Sequence, residues 1–146
     1  MIDRELVYSA LWDRVSGASS FTTKSRRLRH WDNISPAEQP ALFMSVTRMV
    51  GETKNAQVNL RVEWILHAEF YIFVHSPDPY AAPSIILNPL IDAIERALDP
   101  DPVTGVNDLG LPGLVYWARL HGEIATAEGV LGDQEMAIIP VEVRCV

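Results

Sequence analysis

RVEWILHAEFYIFVH, residues 61–75, alternates in character along its whole length. Val62, Trp64, Leu66, Ala68, Phe70, Ile72 and Val74 form one wholly apolar row. Glu63, Ile65, His67, Glu69, Tyr71, Phe73 and His75 form a mixed one. Side chains on a strand point to opposite faces in turn, so this pattern predicts a long strand in a sheet with one buried side. The aromatic and aliphatic members of the mixed row suggest that the second face also meets something.

Working outward toward the C-terminus, SPDPYAAP closes the strand and leads to a helix over about 82–98. Leu87, Leu90, Ile91, Ile94 and Leu98 make its apolar stripe, with Asp92, Glu95 and Arg96 outside. Pro83 suits the first turn. Pro89 is awkward inside, and a start near Asn88 would place it at the first helical position instead. The connection DPDPVTGVNDLGLPG then precedes two strands, about 114–126 and 135–145, joined by EGVLGDQ. In the first, Tyr116, Ala118, Leu120 and Ile124 are expected to face the core while Arg119, His121 and Glu123 face away. In the second, Ala137, Ile139, Val141 and Val143 alternate with Met136, Ile138, Glu142 and Arg144.

Toward the N-terminus, GETKNAQ reads as a polar loop and ALFMSVT as a strand. DNISPAEQP is a second loop, and SRRLRHW is a short strand with Arg27, Arg29 and Trp31 on one side. The first element is a helix over about 3–16, its apolar side built from Ile2, Leu6, Val7, Ala10, Leu11 and Val15, stopped at Gly17. The order helix, three strands, helix, two strands predicts an α+β domain spanning 1–146. It has a largely antiparallel or mixed sheet of about five strands, with both helices on one face.

The chain has 146 residues, enough for one self-sufficient core, and its apolar (48%) and charged (21%) contents are those of a globular protein. No apolar run approaches the length needed to span a bilayer, so no membrane partner is expected. The opening MIDRELVYSALWDRV carries charges where a signal peptide needs apolar residues, so a cytoplasmic start is expected. One cysteine, Cys145, excludes an internal disulfide and a multi-cysteine metal site.

The net charge of −7 is unevenly placed. Residues 1–73 carry nine Lys/Arg against eight Asp/Glu; residues 74–146 carry three against eleven. Such asymmetry fits a nucleic-acid contact, two complementary faces meeting head to tail, or a solvated surface with no further role. The basic stretch KSRRLRHW (24–31) belongs to a chain of pI near 5.0, whereas nucleic-acid domains are usually strongly basic. Pairing of Arg26, Arg27 and Arg29 with carboxylates of a neighbouring subunit suits the planar guanidinium better, and Trp31 joins them as an interface candidate.

The most enzyme-like pattern is a repeated triplet. HAE sets His67 and Glu69 on one strand face, and HGE sets His121 and Glu123 on another. Paired in register, two imidazoles and two carboxylates could converge on a divalent metal, although His-x-Glu is also common on solvated strands. DPDPVTG fails as a calcium loop: Thr104 occupies the position of the required glycine, and Gly110 that of the bidentate carboxylate. There is no nucleophile elbow, phosphate-cradling glycine loop or dinucleotide fingerprint. No cofactor is expected.

Four segments, SRRLRHWDNISPAEQPALF, HAEFYIFVHSPDP, ILNPLIDAIERALDPDPVTG and HGEIATAEGVLGDQEMAIIPVEV, together resemble the tail terminator (tail completion, minor tail protein) family of long-tailed bacteriophages. The resemblance covers most of residues 25–143 and rests on the order and joint occurrence of these segments. It implies a small α/β virion protein, made in the host cytoplasm and not an enzyme. Such a protein forms a homo-oligomeric ring, typically of six copies, on the head-proximal end of the tail tube. There it would stop polymerisation of the tail tube protein and offer a docking surface to a head-completion or connector protein. DNA would pass through the ring without sequence-specific binding, and an acidic balance suits that passage. Another neck or head–tail connector protein is the nearest alternative, and a small metal-dependent enzyme using His67, Glu69, His121 and Glu123 is the next. Within the 51–57 loop, Glu52, Thr53, Lys54 and Asn55 are the candidates for contact with the tube or neck.

Overall fold

The computed structural model describes residues 2–53, 61–131 and 133–146. Its elements are α1 (Arg4–Ser16), β1 (Thr23–Ser25), β2 (Ala41–Thr53), β3 (Val62–His75), α2 (Ser84–Ala97), β4 (Val115–Leu120), β5 (Ala125–Leu131) and β6 (Gln134–Cys145), with two single turns of 3₁₀ helix at Trp31–Asn33 and Pro36–Glu38. The six strands form one mixed sheet in the order β1-β2-β3-β6-β4, and β5 pairs with β6 beyond the end of β4. β1 runs parallel to β2, and every other pairing is antiparallel.

β3 sits at the centre of the sheet, as its alternation requires. Leu66, Ala68, Phe70, Ile72 and Val74 are buried in one cluster with Val7, Tyr8, Leu11 and Val15 of α1 and Leu87, Leu90 and Ile94 of α2. Both helices therefore cover the face that the apolar row specified. Asp3 caps α1 by accepting the Leu6 N–H at 3.0 Å. Within α1 the buried side differs from expectation: Leu6 is exposed, and Tyr8 is buried with its hydroxyl donating to the His67 carbonyl at 3.3 Å. A phenol accepts this position because its ring fills the core while its oxygen finds a backbone acceptor.

α2 starts at Ser84, not Asn88, and holds Pro89 within its second turn. The missing N–H costs one bond on an exposed side of the helix, while Leu87, Leu90, Ala93 and Ile94 are buried on the other. Packing of the stripe outweighs the local propensity of one proline.

Three expectations about the strands are corrected. SRRLRHW is not a strand: only Thr23–Ser25 pairs with β2, and Arg26–His30 is irregular. Here Ser25 Oγ accepts the Arg27 N–H, and Arg29 donates to the Asn33 carbonyl and to Glu38, so local side-chain bonds replace a ladder. β2 does not stop at Thr47. A bulge there shifts its phase, and the strand continues to Thr53. The expected strand 114–126 is two strands. Their break, His121–Ile124, lies opposite Pro140 of β6, between the pairs Leu120↔Val141 and Ala125↔Ile138. A proline cannot donate to a neighbour, and Gly122 (φ +106°) turns the chain at that point. A register shift between Val115 and Trp117 also leaves Tyr116 exposed, and Ile124 is exposed beside the break.

The second face of the sheet is partly covered. Ile34 packs on Ala41, Phe43 and Phe73, with Trp31, Tyr71 and Met136 around them, so the segment 31–40 closes one end of that face.

Candidate assembly surface

The uncovered part of the second face is a polar ladder across four strands. β2, β3, β6 and β4 place Arg48, His67, Glu142 and Arg119 side by side. Arg119 donates to Glu142 Oε1 through Nε (3.0 Å) and Nη2 (2.9 Å), and its guanidinium lies 4.2 Å from the Trp117 ring centroid. His121 Nδ1 approaches the same oxygen at 3.6 Å. The next rung is Val50, Ile65, Arg144 and Trp117. Arg144 binds the buried Glu63 at 2.8 and 3.1 Å and also Glu52 at 3.0 Å.

Three of the four metal candidates gather here. His67, Glu69 and His121 line a cleft of about 470 Å³ with Thr47, Arg48 and Pro140. Burial lowers the His67 pKa, and Arg48 lowers it further, so the imidazole is neutral at neutral pH. Glu69 accepts the Tyr71 hydroxyl at 2.9 Å; burial and then this bond raise the Tyr71 pKa. Glu123 lies in the turn after β4, exposed and apart from the cleft lining. Among the described residues no group of three or more His, Cys, Asp or Glu side chains is placed to hold a metal ion.

The basic segment is largely engaged within its own chain. Arg26 forms a two-pronged ion pair with Glu5 of α1, and Arg29 pairs with Glu38. Each arginine holds its partner's carboxyl below the usual range, with Ser9 assisting at Glu5 and Ser35 at Glu38. Trp31 is half-buried against the small second core, with the His30 ring 5.4 Å away. Arg27 is exposed, and among the described residues its side chain has no ion-pair partner.

Of the loop candidates, Glu52 and Thr53 are strand residues, paired with Glu63 and Val62. Lys54 and Asn55 lie outside the described residues. The strand reaches this far because Gly51 lets Trp64 lie across it; a Cβ there would stand 2.9 Å from Val62 Cγ1 and 3.2 Å from the indole. Arg4 then covers that ring, 4.5 Å from its centroid.

The feature that sequence reasoning missed is the edge of β2. β1 pairs only with Ala41–Phe43, so among the described residues Met44–Thr53 presents an unpaired edge. It carries Val46, Met49 and Val50 at 44, 41 and 39% exposure. The bulge at Thr47 broke the alternation that would have revealed the full strand. No protein-family model matches this chain, and no curated protein is significantly similar to it.

Proposed function

We propose that this chain is a structural subunit of a long-tailed bacteriophage or prophage. Copies of it form a closed ring, of six, on the head-proximal end of the tail tube, which ends tube growth and offers the surface on which the head docks. The family assignment rests on the resemblance of the four segments named above. One physical observation supports an assembly role: the charge asymmetry of the sequence persists on the folded surface.

On the β1–β2–β3 side the exposed cations Lys24, Arg27, Arg48 and Arg61 outnumber the exposed acids Asp32 and Glu52 among the described residues. Along α2, its following loop and β4–β6 the balance is reversed: the exposed acids Asp92, Glu95, Asp99, Asp101, Glu123, Glu128 and Asp133 outnumber the exposed Arg96 and Arg119. A closed ring needs heterologous contacts, in which one patch meets a different patch on the next copy. An excess of cations on one part of the surface and of acids on another steers that contact and disfavours like-to-like pairing.

Native mass spectrometry of the purified chain over a concentration series, with isolated tail tubes as the second binding partner, tests this. The expected result is a discrete closed oligomer, of six copies, that binds tube ends and holds no stoichiometric metal. A monomer that also ignores tubes overturns the reading, and one transition metal per chain would redirect it to His67, Glu69 and His121. Because Arg26 and Arg29 already have partners, Arg27→Glu is the informative reversal. It should weaken assembly at least about tenfold while the thermal midpoint stays unchanged. An intact ring at wild-type concentration removes Arg27 from the boundary.

A further inference from the structure

The sheet has two outer sides, and they are protected unequally. On the β4 side the edge is closed: the Asn107 carbonyl accepts the Ala118 N–H at 2.7 Å, and Asn107 is itself buried and bonded to the Ala97 and Asp99 carbonyls. β5, next to β4, pairs on one side with β6, and its other edge is unpaired among the described residues. Ala125, Thr126 and Glu128 are exposed there, and small side chains at 125–127 leave the backbone accessible. At the far end of the sheet is the open edge of β2. Native proteins usually blunt such edges with short strands, lysines, prolines or a cover. Met44–Thr53 has a bulge, one arginine and one glutamate but exposes Val46, Met49 and Val50.

We propose that the β2 edge of one copy pairs with the β5 edge, Ala125–Glu128, of a second copy of this chain, so that a single sheet runs on from subunit to subunit. Topology, the chemistry of strand edges and charge choose this occupant. The two open edges lie on opposite sides of one sheet, which makes the contact heterologous and able to propagate to closure. Main-chain bonds between edges need no matching side chains and supply affinity, while flanking side chains fix the register. The charges are complementary. Arg48 on β2 has no ion-pair partner among the described residues, whereas Glu52 of the same strand is held by Arg144; the exposed Glu123 before the β5 edge and Glu128 on it are likewise without an ion-pair partner among the described residues. The inference deepens the assembly reading and rests on it.

Single-cysteine variants test the pairing. Met49→Cys and Thr126→Cys are mixed in equal amounts and treated with a short bis-maleimide. The native Cys145 is buried with its thiol pushed up to about 11 by that burial, so it remains silent. Pairing holds the two new thiols at a high effective concentration, so the mixed crosslink should exceed that of Met49→Cys with the α2 control Asp92→Cys by about tenfold. Thr126→Cys alone and Met49→Cys alone should not crosslink. A strong Met49–Met49 product would mean an isologous β2–β2 contact and overturn the proposal. A closed wild-type oligomer without the mixed crosslink overturns the pairing and leaves the assembly reading standing. A chain that neither oligomerises nor crosslinks overturns the pairing as well. As a second variant, Val46→Lys with Met49→Lys should abolish the oligomer while far-ultraviolet circular dichroism is unchanged; an undiminished oligomer counts against the edge.

Discussion

Arg144 and Glu63 show what a single pair does at the end of this sheet. Glu63 is almost fully buried, and its carboxylate accepts from the Arg144 guanidinium, which also reaches Glu52. Removing this cation takes two charge-assisted hydrogen bonds from a buried carboxylate, so Arg144→Met should cost about 1–3 kcal/mol by urea denaturation, and the double variant with Glu63→Met should recover part of it. Glu135 is the opposite case. It is buried on β6 with Oε2 lacking a hydrogen-bond partner, and burial followed by the nearby Glu128 raises its pKa above 4.5. A raised carboxyl favours the folded state only while protonated. Its favourable contribution is complete below the unfolded value of 4.5 and is lost as pH rises through the folded value. Glu135→Gln should therefore raise the urea midpoint at pH 7 and change little below about pH 4.5. A pH-independent difference would assign its effect to packing. At this scale the sequence was informative about residue type but not about partner. Arg26 and Arg29 looked free for a neighbour, yet Glu5 and Glu38, both distant enough in the chain to escape pattern reading, hold them.

Elements followed their periodicity wherever nothing interrupted it. β3 is the clearest example, and α2 kept its stripe despite Pro89 because buried leucines and isoleucine hold the helix down. The interruptions are where reading failed, and each has an identifiable cause. Pro140 has no N–H to offer the strand beside it, so β4 and β5 separate opposite it, with the Pro140 carbonyl still accepting the His121 N–H at 3.2 Å. Proline inside an apparent strand was the signal that this side could not be continuous. Gly122 makes the turn possible at φ +106°, so Gly122→Ala should cost about 1–3 kcal/mol in thermal or chemical unfolding. A neutral substitution would mean that the turn relaxes into an ordinary conformation. The bulge at Thr47 had the converse effect, hiding six further residues of β2 and with them the exposed edge.

For the whole molecule, the consequence is a sheet with one covered face, one polar face and two open edges, one carrying Arg48 and the other Glu128. An assembly built on exposed Arg27 and Arg48 against exposed carboxylates must respond to screening. Its apparent dissociation constant should rise several-fold between low salt and about 0.5 M salt, whereas the monomer's unfolding midpoint should move little. Salt-independent assembly would point to the apolar members of the β2 edge as the main contribution. The sequence by itself determined the α+β class, the central strand, the two helices and the face they cover, because alternation and helical spacing are local and burial enforces them. It also carried the division of charge. Tertiary structure alone decided which edge stays open, that His67, Glu69 and His121 share a cleft while Glu123 does not, and that two of three arginines pair within their own chain. Those outcomes depend on strand order and register, which arise from contacts between residues far apart in the chain and leave no periodic trace in it.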